Sequence, residues 1–165
     1  MKTKLHPTRI DLPESIRRKA VDLLNENLAD VLDLGLQTKQ AHWNVRGPHF
    51  IALHELFDKL AEELEEFSDD IAERAVALGG VALGTAQVIT KESRLKAYPT
   101  DLVGGSAHVK AMANALAQFG KSVRAAIDTA TNLGDADTAD LLTGISRGAD
   151  KMLWLVEAHL QDFSE

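Results

Sequence analysis

The sequence predicts an all-α fold, a four-helix bundle with one long crossover between its second and third helices. Three observations lead there. Every long segment of the 165 residues carries apolar positions at steps of three and four. None alternates with the period of two that marks a half-buried strand. Two connections are short and turn-like, whereas the middle one, Val81 to Thr100, is too long for a simple helix hairpin.

The first helix is expected from about Pro13 to Trp43, with Ile16, Ala20, Leu24, Leu28, Val31 and Gly35 along one stripe. Asn44 to Gly47 reads as a turn, and Pro48 suits the first position of the second helix. That helix places Leu53, Leu56, Phe57, Leu60, Leu64, Phe67, Ile71, Ala75 and Leu78 on one face before the Gly79–Gly80 pair ends it. The crossover carries Val81, Leu83, Val88, Ile89 and Leu95, so it is expected to be packed and to hold a short extra helix. The third helix is expected over about Asp101 to Thr131, on Val109, Met112, Leu116, Phe119, Val123 and Ile127. After a turn at Asn132 to Asp135, Asp137 or Thr138 is expected to cap the fourth helix. It runs to about Phe163 on Leu141, Ile145, Ala149, Met152, Val156 and Leu160. Residues 1–12 are expected to form a mobile N-terminal tail and residues 13–165 a single bundle domain.

Composition narrows the function classes. The chain is 45% hydrophobic and 26% charged, as ordinary soluble domains are. Its net charge of -7 argues against a generally nucleic-acid-binding surface and suits an assembly that attracts cations. Cysteine is absent, which excludes disulfides, thiolate metal sites and thiol catalysis. The N-terminus lacks the apolar core of a signal peptide and no apolar run is long enough to span a membrane. A reducing cytoplasm is the expected address.

Five residues carry the chemistry: His42, His54, Asp58, Asp69 and Glu73. His54 and Asp58 are four apart, as are Asp69 and Glu73, so each pair shares a face of the second helix. Asp58 and Asp69 stand eleven residues apart, nearly on one face but about 16 Å apart along the axis. No single ion is reached from both ends. Two copies of the helix, antiparallel about a two-fold near Glu63 and Leu64, bring each His54/Asp58 end to the partner's Asp69/Glu73 end. That makes two identical mixed-ligand sites per dimer.

Further motifs run along most of the chain: Lys39-Gln40-Ala41-His42-Trp43-Asn44-Val45-Arg46-Gly47, Ala52-Leu53-His54-Glu55 and Ala72-Glu73-Arg74. Then come Leu78-Gly79-Gly80-Val81-Ala82-Leu83-Gly84, Leu95-Lys96-Ala97-Tyr98-Pro99, Thr138-Ala139-Asp140 and Ser146-Arg147. In this order and spacing the sequence closely resembles the Dps family, the mini-ferritins named as DNA-binding proteins from starved cells. The resemblance implies a ferritin-like bundle in a hollow shell of twelve identical subunits, with two ferroxidase sites at each two-fold interface. It implies that His42, His54 and Asp58 come from one subunit and Asp69 and Glu73 from its partner. The implied activity is oxidation of Fe(II), with hydrogen peroxide favoured over dioxygen, and storage of Fe(III) mineral, which protects against oxidative damage.

The ligand types suit that chemistry. Imidazole and carboxylate together accept both Fe(II) and Fe(III), and the harder Fe(III) favours oxygen donors. The same set also suits zinc, as a substitute ion without turnover. The Glu-x-x-His pairs of ordinary di-iron bundles are not suitably placed here, which favours the intersubunit arrangement.

Other residues carry paired readings. Glu62, Glu63, Glu65 and Glu66 are a solvated face or a cavity-facing surface that gathers Fe(III). Asp135, Asp137 and Asp140 are turn and cap residues or an acidic iron-entry pore. Trp43 is expected to pack beside the site, and His6, His49, His108 and His159 to be surface or structural. DNA binding, with nucleoid compaction as the alternative primary role, rests on Lys2, Lys4, Arg9, Arg17, Arg18 and Lys19, offset by Asp11 and Glu14. Such contacts are to phosphates, are independent of sequence and weaken with salt.

Overall fold

The computed structural model describes residues 5–161, and these form five helices and a final 3-10 turn. They are α1 (Glu14–Asn44), α2 (Phe50–Ala77), α3 (Ala86–Glu92), α4 (Gly105–Leu133) and α5 (Ala136–Glu157), then Ala158–Leu160. No strand occurs among the described residues. α1 packs on α2 and α4 on α5 as two hairpins, and α1 against α4 joins them. The short extra helix expected in the crossover is α3.

Periodicity explains which faces turn inward. Leu24, Phe57, Leu60, Leu64, Ile71, Met112, Leu116, Phe119 and Met152 are wholly buried on the expected stripes, and Leu34 and Leu142 are buried where those stripes predict Gly35 and Leu141. Each such side chain contributes roughly 1.5–3 kcal/mol by leaving water, so this one cluster dominates the folding energy. Gly148 on α5 lies against the Phe67 ring of α2, where even a Cβ would collide.

The boundaries differ in four places, each for a local reason. α2 starts at Phe50, two residues after Pro48, because His49 still has non-helical backbone (φ -101, ψ 21). α4 starts at Gly105 because that residue's N–H donates to Arg46 O (3.1 Å), pinning the chain to the α1–α2 turn. α4 ends at Gly134, which takes the left-handed backbone (φ 78) that closes a helix. The α-helical part of the last helix ends at Glu157; Phe163 lies outside the described residues.

The crossover is held by polar groups more than by its apolar ones. Val81 is 42% exposed and Ile89 is its one fully buried apolar side chain among Val81, Leu83, Val88, Ile89 and Leu95. Asp30 of α1, wholly buried, accepts from the Arg94 backbone N–H (2.8 Å) and guanidinium (2.7 and 2.9 Å). Asp33 accepts from Ser93 (2.5 Å), Gln37 donates to Lys96 O (3.1 Å), and Asn25 bonds Val81 O and Leu83 N–H. A buried carboxylate left without these partners would be costly, so the lacing fixes the path of the crossover over α1.

Residues 5–12 run along the end of α2. His6 N–H donates to Gly79 O (2.6 Å), and Arg17 reaches Leu12 O (3.1 Å) and Leu78 O (2.9 Å). The carbonyls that α2 leaves unpaired at its C-terminus are met in this way. Leu5, Ile10 and Leu12 pack against the core.

Candidate metal centre

The α1–α2 turn builds the first half of the site. Val45, buried, is extended (φ -60, ψ 140), and Gly47 has a positive φ of 116, so the chain reverses within a few residues. His42 in the last turn of α1 therefore faces His54 in the second turn of α2. His42 Nδ1 bonds His54 O and His54 Nδ1 bonds His42 O, each at 2.8 Å. A carbonyl only accepts, so each Nδ1 carries a proton and donates, and each Nε2 is left out of the pairing. The rings stack at 3.7 Å between centroids, 22° from parallel. A hydrogen bond of this type, made by the ring nitrogen that faces away from an ion, orients imidazoles that bind metals.

Asp58 stands beside them. Its Oδ1 lies 3.8 Å from His42 Nε2 and 2.7 Å from Lys39 Nζ. The Lys39 ammonium holds this half-exposed carboxyl below the usual carboxylate range, and the two imidazoles add weaker pulls in the same direction. Lys39 also sits 5.9 Å from the centroid of the Trp43 ring. Trp43 is 66% exposed, so within one chain it does not pack beside the site as expected. The role of Lys39 escaped the sequence reading. Its only signal was a position three residues before His42, hence on the same helix face.

Asp69 and Glu73 are exposed near the other end of α2. Among the described residues no three His, Asp or Glu side chains converge on one point within a chain. Next to Glu73, Arg74 donates to Asp135 Oδ1 (2.7 Å) and Thr138 Oγ1 (3.0 Å). Asp135, 1% exposed, also accepts from the Thr138 backbone N–H (3.1 Å) and hydroxyl (2.6 Å). The cap of α5 is thus Asp135, not Asp137 or Thr138, because it alone precedes the first turn with a carboxylate aimed at its N–H groups.

The model of the ferritin-like domain matches residues 21–165. A DNA protection during starvation protein of Agrobacterium fabrum is 47% identical over 161 residues, covering 98% of this chain and 99% of the relative. The chain belongs to the ferritin-like Dps family. DpsA14 from Streptomyces coelicolor superposes with a TM-score of 0.93 at 33% identity, covering 99% of this chain and 96% of that one. The tetragonal form of Mycobacterium smegmatis Dps gives 0.89 at 31%, with the same coverage of both chains.

The remaining candidate residues of this Dps chain fall into clear classes. Asp135 is consumed by the cap and the Arg74 pair, while Asp137 and Asp140 are exposed. Glu62, Glu65 and Glu66 are exposed and Glu63 half-buried. Of the basic residues near the N-terminus, Arg17 is tied to backbone carbonyls and Arg18 pairs with Glu14 (2.7 Å). Arg9 and Lys19 are exposed, and Lys2 and Lys4 lie outside the described residues, as do residues 162–165. His6, His49 and His159 are exposed; His108 is buried. No helix among the described residues is long and apolar enough to cross a membrane.

Proposed function

We propose that this Dps protein oxidises Fe(II) with hydrogen peroxide at sites shared by two copies of the chain, and stores the Fe(III) product inside a dodecameric shell. The observation that carries this reading is the reciprocal His42–His54 pairing, which leaves both Nε2 atoms out of the pair and sets that of His42 3.8 Å from the Asp58 carboxylate. Asp69 and Glu73, eleven and fifteen residues beyond Asp58, supply the carboxylates of the partner's half-site. An apolar groove of about 530 Å³ beside Asp58, floored by Val31, Leu36, Leu64 and Ile89, gives the second copy a seat. Leu36 is 61% exposed in one chain, which suits burial in that contact.

In this reading His42 and His54 orient Fe(II), and Asp58 exchanges the Lys39 ammonium for the ion. Asp69 and Glu73 hold the product more tightly than the substrate, because hard oxygen donors favour Fe(III). Two adjacent Fe(II) ions supply the two electrons that break the O–O bond of peroxide, so no free hydroxyl radical leaves. Zinc binds the same imidazole–carboxylate set without turning over.

Anaerobic Fe(II) loading followed by peroxide tests the reading, with absorbance following Fe(III) and light scattering reporting assembly size. Fast oxidation at about two irons per peroxide supports it; background oxidation in an intact assembly sinks it. The second reading is DNA contact, favoured by the exposed Arg9 and Lys19 and by the name of the Agrobacterium fabrum relative. Repetition around a shell could turn weak contacts into useful avidity. A low-salt gel-shift titration with and without residues 1–10 tests it, and no retardation by the intact protein rejects it.

A further inference from the structure

We propose that Tyr98 and His108 form a redox-active pair, in which Tyr98 surrenders one electron to an oxidising radical as its hydroxyl proton passes to His108 Nδ1. Tyr98 Oη lies 2.6 Å from His108 Nδ1, a separation at which the phenol donates to the Nε2–H tautomer of the ring. Nδ1 accepts only when Nε2 carries the ring proton. His108 Nε2 is buried and bonds no side chain among the described residues.

The surroundings fit proton-coupled electron loss. His108 is 1% exposed, and burial lowers its affinity for a proton below the ordinary histidine range, against a weaker opposite pull from the Leu102 backbone. The ring is therefore a neutral, unoccupied base. Burial pushes the Tyr98 phenol up to about 12, so it keeps its proton until an electron leaves as well. The step breaks only the Oη–H bond and forms Nδ1–H. The electron reduces the radical, for example hydroxyl radical to hydroxide. Tyr98 also lines a cavity of about 380 Å³ with Gln37, Lys96, Asn114 and Gln118, through which a small water-soluble one-electron donor can restore the phenol.

Position ties the pair to the histidine hairpin. Gln37, which shares the cavity, bonds Lys96 O at 3.1 Å and precedes His42 by five residues, about 7.5 Å of helix axis. On the other side Gly105, one turn before His108, bonds Arg46 O at 3.1 Å, in the turn between the two histidine-bearing helices. A radical escaping when a lone Fe(II) meets peroxide would arise at the hairpin that these two bonds tie to the segments bearing Tyr98 and His108. The inference takes from the ferroxidase reading only this source of the radical.

The test uses the full chain without iron first, exposed to azide radicals generated by pulse radiolysis. Tyr98 is the single tyrosine, so a tyrosyl spectrum has one possible origin. The oxidation should settle on Tyr98 in the parent and stay on tryptophan in Tyr98→Phe. Heavy water should slow tyrosyl formation in the parent, and His108→Gln should slow it by about tenfold or more. Should His108→Gln fail to fold, the heavy-water effect on the parent still reports the proton transfer. A parent oxidation that remains on tryptophan, or a rate indifferent to heavy water and to His108→Gln, overturns the pair.

Freeze-quenched paramagnetic resonance after peroxide meets one Fe(II) per two chains should then show the same tyrosyl signal. Fast Fe(III) formation with no such signal overturns the link to iron. A tyrosyl radical from azide with no iron oxidation supports the pair and rejects the ferroxidase reading instead.

Discussion

His42 and His54 hold each other through their own backbones: each Nδ1 bonds the other's carbonyl at 2.8 Å, and the rings stack at 3.7 Å. One arrangement thus closes the α1–α2 turn and sets two Nε2 atoms outward. Replacing both (His42→Ala with His54→Ala) should abolish fast Fe(II) oxidation. The two lost hydrogen bonds should cost about 1–3 kcal/mol of stability, leaving the helical content unchanged. Undiminished oxidation in a folded double variant contradicts the assignment.

Lys39 is expected to compete with metal for Asp58. Exposed ion pairs contribute little, so Lys39→Met should tighten binding of the first metal by about fivefold at most. Calorimetric titration with Zn(II) reads this without redox chemistry. Weaker binding in the variant would mean that Lys39 orients Asp58 for the metal instead of blocking it.

The Arg74–Asp135 pair fastens the end of α2 that bears Glu73 to the start of α5. Asp135 is 1% exposed and makes three polar contacts, one with Arg74 and two with Thr138. Arg74→Ala leaves this buried carboxylate without its counter-ion and should cost about 3–5 kcal/mol in chemical denaturation. A loss below about 1 kcal/mol would show that the pair behaves as an ordinary surface one.

Tyr98 gives a spectroscopic test in alkali. Its folded-state value, raised to about 12 from 10.0, lies above the unfolded one. Its contribution to stability is therefore intact below pH 10 and is lost as pH rises through about 12. Phenolate absorbance should appear near pH 12 or together with unfolding. Ionisation near pH 10 in the folded protein would show that the phenol is not shielded.

Periodicity revealed the helices because each buries one continuous stripe, from Leu24 and Phe57 to Met152, and such stripes have a fixed spacing. It also revealed that Asp58 and Asp69 stand at opposite ends of one helix. Contacts between elements left no such trace. Lys39 and Asp58 are nineteen residues apart and meet only once α1 lies against α2. Arg94 and Asp30 are sixty-four apart, and their bond, more than the apolar residues, fixes the crossover. The sequence predicts Asp137 or Thr138 as the cap of α5 in place of Asp135 because all three have capping chemistry, and backbone direction alone decides among them. The His108–Tyr98 bond was missed because a buried histidine looks like a surface one until its neighbours are known.

The central claim is that each site takes ligands from two chains, and subunit mixing tests it most directly. One variant carries His54→Ala with Asp58→Ala; the other carries Asp69→Ala with Glu73→Ala. Each alone should lack fast Fe(II) oxidation. Dissociated, mixed in equal amounts and reassembled, they should regain about a quarter of the parent activity, because half of the dimers are hybrids with one intact site of two. Mixed assemblies as inactive as either variant would contradict the shared site.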